Sequence, residues 1–324
     1  MLLLDGFNAM AMQAFIDPFR CANYLNAENL YNWQFLSLGE DTVTASNGLS
    51  VTNLSGIDGA DTKYDLVVIN TSWAPERFRQ TKLLSWLHGQ SLNGAALCGL
   101  DTGAFILAFA GFLKNRTATV HYEHIAAFRE LFPDVDTTED IYVMNTDIMT
   151  CCGGIAATDL ALEIIRLQHG MELANAASRY IFHERLRHGG EGQFPETSEP
   201  VGYSAPLKLR EAIILMERNL EHPLTIGELA NHVAISQRQL DRLFQKHTGI
   251  SPVRYYIQAR LDRARGLITQ TELPVLDVAI ACGFSGHAQF TRAYKGRFGI
   301  TPSRDRVDGR VPFQFRSFPS HAGV

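Results

Sequence analysis

The chain has 324 residues, of which 46% are hydrophobic and 19% are charged. This length is twice the ~150 residues that one hydrophobic core usually serves, and the composition excludes disordered, collagen-like and coiled-coil chains. No membrane span is expected, because the longest apolar stretch, residues 95–113, carries Asp101. Residues 1–5 lack the features of an export signal, so we expect a cytoplasmic protein. The length predicts two domains.

Charge divides the chain into an acidic and a basic part. The net charge of −5 combines 17 Lys and Arg against 10 Asp and Glu from residue 207 onward with 12 against 24 before it. The two parts therefore carry net charges of +7 and −12. A basic region of this size is typical of a module that binds a polyanion, although domains also differ in charge by chance.

Two segments without helical or strand periodicity set the expected domain boundaries. Residues 189–206 contain four Gly, three Pro and three Glu, which predicts an interdomain linker. Residues 309–324 predict a flexible tail. We therefore expect a first domain at residues 1–188 and a second domain at residues 207–308.

The cysteines do not form a pattern that binds metal or builds disulfides. Five cysteines are an odd and sparse set in a chain of 324 residues, which favours reduced thiols. Cys151 and Cys152 are adjacent, and the sequence contains no C-x-x-C pair. We therefore expect no zinc site built from cysteines and no bound cofactor.

Short apolar runs alternate with longer helical patterns in the first half of the chain. Helices are predicted at residues 9–25 and 156–168, among others. Strands are predicted at residues 2–4, 33–38, 66–69, 95–100 and 148–152. This alternation predicts an α/β domain with a parallel sheet and helices on both faces.

The ends of these strands are where a site is expected, because ligands bind beyond the carboxyl ends of parallel strands. The segments that follow the strands are residues 5–8, 70–73, 101–103 and 152–154. Residues 98–105 predict a strand, a sharp turn and a helix. A side chain at this turn would stand at the rim, and free N–H groups at the helix start can bind an anion.

Two runs in the first half resemble a known family. DTGAFILAFAGFLKNRTATVHYE (residues 101–123) and TCCGGIAATDLALEIIRLQHG (residues 150–170) resemble the class I glutamine amidotransferase-like, PfpI-type domain of GlxA-type transcriptional regulators. The resemblance implies a flavodoxin-like sheet. In enzymes of that superfamily the turn carries a cysteine nucleophile near a histidine, whereas here the turn residue is Asp101 and only His121 is kept. The resemblance therefore implies a sensor domain without a catalytic residue.

An enzyme remains the alternative interpretation of the first domain. It would be a cysteine-dependent amidase or hydratase with an attached DNA-binding domain, and it requires a reactive thiol near His121 from Cys98, Cys151 or Cys152. Cys98 lies inside a predicted strand, where an inert buried thiol is expected. Asp101 cannot attack an acyl carbon as a thiolate does.

The strand ends suggest a small zwitterionic ligand. Its carboxylate would bind the N–H groups around Thr102 or the turn at Gly153, and its cationic group would face Asp101 and the aromatic rings of Trp73 or Tyr122. The family resemblance implies betaine-like quaternary amines, carnitine or arginine. The predicted ligand-binding residues are Asn8, Trp73, Asp101, Thr102, His121, Tyr122 and Gly153.

Each of these residues also has a purely structural interpretation. Asp101 can cap the following helix, and Trp73 can be a packed core residue. His121 can be a hydrogen-bonded structural residue. His121 and His124 have a spacing that is not a known zinc pattern, so no metal is expected.

A helix-turn-helix pattern begins at residue 224. Residues 224–236 (LTIGELANHVAIS) predict a helix and a turn, and residues 237–249 (QRQLDRLFQKHTG) predict a second helix. Ser236 and Gln239 have the spacing of a capping box at the start of this second helix. Its exposed face would carry Gln237, Arg238, Asp241, Arg242 and Gln245, which are residue types that contact base edges and phosphates.

A second copy of the pattern follows 49 residues later, measured from Ser236 to Ser285. Residues 273–285 predict a helix and a turn, and residues 286–299 predict a polar, basic second helix. Residues 252–267 predict a helix between the two copies, long enough to hold the two second helices about one DNA turn apart.

This pair of units resembles the AraC/XylS-type DNA-binding domain over its whole length. The matching runs are GISPVRYYIQARLDRARGLI (residues 249–268), VAIACGFSGHAQFTRAYKGRFGITP (residues 278–302) and SQRQLDRLFQKHTG (residues 236–249). The resemblance implies that base-facing and phosphate-facing positions are held by Arg238, Gln239, Arg242, Ser285, His287, Gln289 and Arg292. A capping role for Gln239 stays open beside this one.

The sequence as a whole predicts a regulator that binds promoter DNA through two helix-turn-helix units under control of a small-molecule effector. The resemblances imply a homodimer that activates transcription with RNA polymerase. A helical protein-interaction domain and a nucleoid protein without an effector are the other interpretations of the second half.

Overall fold

The computed structural model describes residues 1–57, 63–193, 205–271 and 273–309. These residues form two units, residues 1–193 and residues 205–309. Within the described ranges, none of the helices has both the length and the apolar character that crossing a bilayer requires.

The first unit is an α/β domain. Its described strands are β1 (Leu2–Leu3), β2 (Leu36–Ser37), β3 (Thr42–Thr44), β4 (Ser50–Thr52), β5 (Ser55–Gly56), β6 (Leu66–Thr71), β7 (Ala96–Asp101), β8 (Thr117–Ala118), β9 (Asp136–Thr137), β10 (Tyr142–Met144) and β11 (Ile148–Cys151). Its described helices are α1 (Ala9–Asn26), α2 (Thr81–Leu92), α3 (Gly103–Phe109), α4 (Ile125–Leu131), α5 (Ala156–His169) and α6 (Met171–Tyr180).

In this unit, seven of the described strands form one sheet in the order β10, β11, β7, β6, β1, β2, β5. All neighbouring pairs are parallel except β10 with β11. The predicted parallel sheet is confirmed, since β1, β2, β6, β7 and β11 lie within or overlap the five predicted strands. The remaining strands, of two or three residues each, were not predicted.

Helices cover both faces of the sheet, as the alternation predicted. Val68, Leu100 and Cys151 belong to one core cluster with the apolar residues of α1, α5 and α6. On the opposite face, a Cβ built on Gly99 would lie 2.6 Å from the backbone nitrogen of Ala104, so α3 packs directly on β7. The successive side chains of a strand thus enter two separate layers.

The start of the predicted linker is hydrogen-bonded to the first unit. The N–H of Ile141 donates to the carbonyl of Glu191 at 2.9 Å, and the N–H of Gln193 donates to the carbonyl of Glu139 at 2.8 Å. Residues 189–193 therefore lie along the chain segment that leads into β10. Residues 194–204 and the predicted tail from residue 310 onward lie outside the described residues.

The second unit is helical. Its described helices are α7 (Leu207–Arg218), α8 (Ile226–His232), α9 (Gln237–Thr248), α10 (Pro252–Gln270), α11 (Val275–Ala281), α12 (His287–Phe298) and α13 (Pro302–Gly309). The pairs α8–α9 and α11–α12 are the two predicted helix-turn-helix units, and α10 is the predicted helix between them. Leu240 and Phe244 of α9 and Phe290 and Tyr294 of α12 are buried, which leaves the opposite faces of these two helices exposed.

Candidate effector site and candidate DNA-binding surface

The candidate effector site is built on a sharp turn at the end of β7. Asp101, the last residue of this strand, has a φ of +59°, a conformation that non-glycine residues rarely adopt. The residue after next must be glycine, because a Cβ built on Gly103 would lie 2.4 Å from the carbonyl oxygen of Ile69. A Cβ on Gly153 would lie 2.8 Å from that of Asp101. Close backbone packing therefore fixes the direction of the Asp101 side chain.

The carboxylate of Asp101 is nearly inaccessible and has specific partners. Asp101 is 3% exposed, and its Oδ2 accepts a hydrogen bond from Nδ2 of Asn8 at 2.7 Å. The side chain of Ser72 is a second hydrogen-bond partner. Burial raises the pKa of Asp101, while His121 and the bond from Asn8 oppose this shift. A buried carboxylate of this kind favours a positive charge beside it.

Asn8 is held in place from both sides. Its Oδ1 accepts the N–H of Ala11 at 3.0 Å and so caps α1. Its backbone N–H donates to Oδ1 of Asn70 at 3.3 Å, and Nδ2 of Asn70 donates back to the Asn8 carbonyl at 3.0 Å. The amide of Asn8 therefore points one donor at Asp101 with little freedom. The sequence pointed only to the segments that contain Asn70 and Ser72, since both follow predicted strand β6.

Two histidines lie beside the turn at Asp101, which we call the Asp101 elbow. One donor atom from each of Asp101, His121 and His124 lies within 4.8 Å of the other two. A carboxylate with two imidazoles is a set that transition metals bind. Nδ1 of His121 accepts the N–H of Glu123 at 3.4 Å, so this ring nitrogen already has a partner. The absence of a metal stays a prediction.

The structure corrects one part of the expected ligand site. Thr102 is fully buried, its N–H donates to the carbonyl of Thr71 at 3.3 Å, and its hydroxyl donates to the carbonyl of Ser72 at 2.9 Å. Its N–H group is therefore not free for a ligand carboxylate. Thr102 is also the N-cap residue of α3, so the capping role considered for Asp101 is wrong.

The two predicted aromatic residues lie in the segments that follow β6 and β8. Trp73 follows Ser72 and packs against Gly6 of the loop before α1. The ring of Tyr122 contacts that of His121 with centroids 4.5 Å apart, and Tyr122 is 45% exposed. The structure thus brings Asn8, Asp101 and Gly153 into direct contact, with His121 and Tyr122 beside them.

The cysteines do not provide an activated thiol. All five are buried, and Cys98 lies within β7, three residues before the elbow. Burial raises the pKa of Cys98 and that of Cys151 well above the ordinary thiol value, so both thiols stay protonated at neutral pH. Reactive cysteines need the opposite shift. The amidase or hydratase alternative is therefore not favoured.

The candidate DNA-binding surface consists of the exposed faces of α9 and α12. The seven residues predicted to face DNA are all exposed: Arg238, Gln239, Arg242, Ser285, His287, Gln289 and Arg292. Oε1 of Gln239 accepts the N–H of Ser236 at 2.9 Å, so the predicted capping box is present. The arginines carry the positive charge of this face, and the Gln239 amide is partly used at the cap.

Profiles of two families match the two units. A profile of the DJ-1/PfpI family matches residues 2–167, and a profile of a helix-turn-helix domain matches residues 229–307. Among solved structures, an AraC family transcriptional regulator from Pseudomonas putida is similar at 26% identity with a TM-score of 0.50, covering 56% of this chain and 96% of that one. A ThiJ/PfpI family protein from Pseudomonas syringae shares the fold at 17% identity and a TM-score of 0.50, covering 72% of this chain and 89% of that one.

Curated transcriptional regulators are similar to nearly the whole chain. CdhR of Pseudomonas aeruginosa is 39% identical over 94% of this chain and 90% of that protein. GbdR of the same species is 38% identical over 94% of this chain and 83% of that protein, and GlxA of Rhizobium meliloti is 32% identical over 93% of both. The chain therefore belongs to the GlxA-, GbdR- and CdhR-type transcriptional regulators, DNA-binding proteins that join a DJ-1/PfpI domain to an AraC-type helix-turn-helix domain.

Proposed function

We propose that this regulator is a non-enzymatic activator controlled by a small cationic zwitterion, a betaine-like or carnitine-like amine or arginine, that binds at the Asp101 elbow. The observation that carries the proposal is the buried Asp101 carboxylate at a strained strand end, where the relatives of the superfamily that are enzymes have a thiol. The active form would be a homodimer that binds promoter DNA and recruits RNA polymerase.

The chemistry of the elbow favours a cation over an anion or a neutral ligand. An ionised carboxylate that is 3% exposed is costly unless a positive charge lies next to it. Asn8 holds the carboxylate in one orientation, so the ligand meets a preorganised partner. The exposed ring of Tyr122 offers a face for a quaternary or guanidinium group.

The ligand carboxylate would bind on the other side of the elbow. The N–H of Thr102 donates to the carbonyl of Thr71 and that of Gly153 to Sγ of Cys151 at 3.4 Å, so the candidate for this end of the ligand is the N–H of Gly154 in the same turn. Both glycines have positive φ, +87° and +56°, and Gly153 packs on the Cβ of Asp101. A zwitterion of the length of betaine, carnitine or arginine would span the two charges.

The DNA-binding part of the proposal concerns the exposed arginines of the second unit. Arg238 and Arg242 of α9 and Arg292 of α12 would contact bases or phosphates in successive major grooves. His287 and Gln289 lie in the first turn of α12, and Ser285 lies just before it. We call α9 and α12 the reading helices, because the second helix of such a unit approaches base edges. The acidic first unit, net −12 before residue 207, would stay away from the phosphates.

A thermal-shift screen tests the effector. The purified protein is mixed with glycine betaine, carnitine, choline, dimethylglycine or arginine, with unrelated carboxylates as controls. A ligand at 100 times its dissociation constant adds about 2.7 kcal/mol to the free energy of unfolding, which raises the melting temperature by several degrees. Asp101→Asn should abolish this shift, while Asp134→Asn, which alters an exposed carboxylate 3.9 Å from Lys114, should keep it.

Two results would contradict the proposal. One is a well-folded wild-type protein that is silent toward every cationic zwitterion. The other is an Asp101→Asn variant that keeps the full shift, since the carboxylate would then have no part in binding. A fast-reacting thiol in the native protein would revive the enzyme alternative.

A further inference from the structure

The first unit ends in a segment, residues 183–193, that is bonded at both of its ends to the surroundings of the Asp101 elbow. We name it the exit strap, because the chain passes from it through residues 194–204 to α7 and the helix-turn-helix units. The sequence placed its last five residues in a linker. Their hydrogen bonds give them a different role, which rests on the effector function proposed above.

One end of the exit strap is fixed to α5. The carboxylate of Asp159 is completely buried and accepts hydrogen bonds from Nε2 of His183 at 2.8 Å, from the N–H of Arg187 at 2.8 Å and from Nη2 of Arg187 at 2.6 Å. Burial alone raises the pKa of Asp159, but these bonds more than offset it, so its pKa is lowered. Asp159 is in the first turn of α5, directly after the turn whose Gly153 packs on Asp101.

The other end of the exit strap is fixed to the chain that leads into His121. Nε2 of Gln193 donates to the carbonyl of Val120 at 2.8 Å, to Oγ1 of Thr119 at 3.0 Å and to the carbonyl of Asp140 at 3.3 Å. Val120 is fully buried and immediately precedes His121. One side-chain amide therefore joins the last described residue of the first unit to the residue that precedes the histidine beside the elbow.

We propose that Gln193 is a positioning residue that couples effector binding to the DNA-binding unit. An effector held by Asp101, Tyr122 and the turn at Gly153, as proposed above, adjoins the two chain segments, residues 119–121 and the turn before α5, to which the exit strap is bonded. A shift of either segment changes the bonds of Gln193 or of Asp159, and the strap passes this change to the linker. The effector thereby biases an equilibrium between two arrangements of the strap.

Gln193→Glu tests the proposal with almost no change in shape. It replaces the N–H donors by a carboxylate that faces oxygen atoms of Thr119, Val120 and Asp140, so the contact becomes repulsive. Gln193→Ala removes the contact, and Gln168→Ala is the matched control, since it removes one exposed hydrogen bond with Tyr31. Hydrogen exchange of the free protein should rise at residues 119–121 in both Gln193 variants and stay unchanged in the control.

The second measurement separates positioning from folding. Glycine betaine, carnitine and arginine are the probes, and the DNA is a fragment selected by the wild-type protein from random sequences. The Gln193 variants should bind the active probe within about twofold of the wild-type dissociation constant, while the change that the probe causes in DNA affinity falls at least about fivefold. Equal losses of probe binding and DNA response would overturn the proposal, because they indicate a general structural role.

The outcomes also separate this proposal from that of the effector. If no probe acts on the wild type but exchange at residues 119–121 rises in the variants, the zwitterion class is wrong and the contact between Gln193 and the His121 segment stands. If exchange at residues 119–121 is unchanged, or the DNA response persists in Gln193→Glu, the role of Gln193 is refuted even when an effector binds.

Discussion

In the first helix-turn-helix unit, Ser236 and Gln239 close a capping box at the start of α9, whereas α12 of the second unit begins after Gly286, which has no side chain to cap with. The turn residues differ as well. Ala234 has a φ of +55° and is exposed, while Gly283, 49 residues later, has a φ of +72° and is partly buried. A Cβ built on Gly283 would lie 2.6 Å from the carbonyl oxygen of Leu220.

The second helix-turn-helix unit is additionally supported by α10. Nε of Arg260 donates to the carbonyl of Cys282 at 2.8 Å, and its Nη2 donates to the carbonyl of Gly283. The guanidinium also lies 4.2 Å from the ring centroid of Phe284. The first reading helix is therefore fixed by residues next to it in the sequence, and the second by residues brought to it by the tertiary fold. Two copies of one motif thus reach the same geometry by different interactions.

Gly283→Ala should have the largest effect on this difference. The added methyl group meets backbone oxygens and the φ is unfavourable, so we expect a loss of more than about 3 kcal/mol in the stability of the second unit. The exchange Ala234→Gly in the first helix-turn-helix unit should change stability by less than about 1 kcal/mol. Urea unfolding followed by helical circular dichroism measures both variants.

Tryptophan fluorescence distinguishes unfolding of the α/β unit, residues 1–193, from unfolding of the helical unit, residues 205–309. All three tryptophans, at positions 33, 73 and 86, lie in the first unit, so their fluorescence reports on that unit alone. The Gly283→Ala variant should leave the fluorescence transition in place. An equal loss from Ala234→Gly would show that the two turns are under the same constraint and would contradict the comparison.

Arg260→Ala should come next in size. It removes two charge-assisted hydrogen bonds and a ring contact, for which we expect a loss of about 2 kcal/mol in the second unit. Arg254→Ala, at an exposed position near the start of the same helix, is the control. If both variants are equally stable in urea, α10 does not support the second turn.

Replacing an arginine on α9 or on α12 tests whether the two helix-turn-helix units contribute equally to DNA binding. Arg242→Ala and Arg292→Ala should each weaken specific binding by about 1 to 3 kcal/mol if they contact bases. Arg218→Ala, on the exposed side of α7, should have no such effect. Fluorescence anisotropy at one fixed salt concentration measures all three, and an unaffected Arg242 or Arg292 variant would exclude that residue from the interface.

The two serines should differ in their contribution to stability. The hydroxyl of Ser236 accepts the N–H of Gln239 at 3.3 Å, whereas that of Ser285 donates to Oε1 of Gln289 at 2.7 Å. Ser236→Ala should therefore cost about 1 kcal/mol, and Ser285→Ala less than half of that. The same unfolding experiment decides, and equal costs would mean that Ser285 caps α12 after all.

The smallest effect concerns pH. Hydrogen bonds from Thr225 lower the pKa of Glu228, which completes a capping box at the start of α8. A lowered carboxyl pKa adds stability above the unfolded-state value, and this stability is lost as the pH falls through the folded-state value. Glu228→Gln should therefore reduce the loss of helical signal below about pH 5. If the variant has the pH profile of the wild type, the Glu228 carboxylate does not contribute to the pH dependence of stability.

The parts of the structure that follow from local pattern were predictable. The capping box at Ser236 and Gln239 needs only two residues three apart, and both helix-turn-helix units show their buried faces in the spacing of apolar residues. The sheet strands were recognisable where an apolar run was long enough, as in β6 and β7. The position of Asp101 at the turn was predictable from the strand, turn and helix pattern around it.

Contacts between distant parts of the chain were not predictable from one sequence. Nothing local links Asn8 to Asp101, which are 93 positions apart, or shows that the Thr102 N–H is already used. Composition also failed at Gln193, because a Gly- and Glu-rich segment has the same composition whether it is a free linker or is bonded to a neighbouring chain segment. The polar partners of a buried group decide such cases, and they are set by the fold.

The burial of all five thiols has a practical consequence for distance measurements. A cysteine introduced on an exposed face, as in Asp241→Cys on α9 or Lys295→Cys on α12, would react with a label ahead of the native ones. On α9, Lys246→Cys is preferred to Asp241→Cys, because Asp241 lies on the predicted DNA-contacting face. With Lys246→Cys and Lys295→Cys in one chain, paired spin labels would report the separation of the reading helices, for comparison with the ~34 Å of one DNA turn. The native chain is therefore a suitable background for spectroscopy on the regulator while it is bound to DNA.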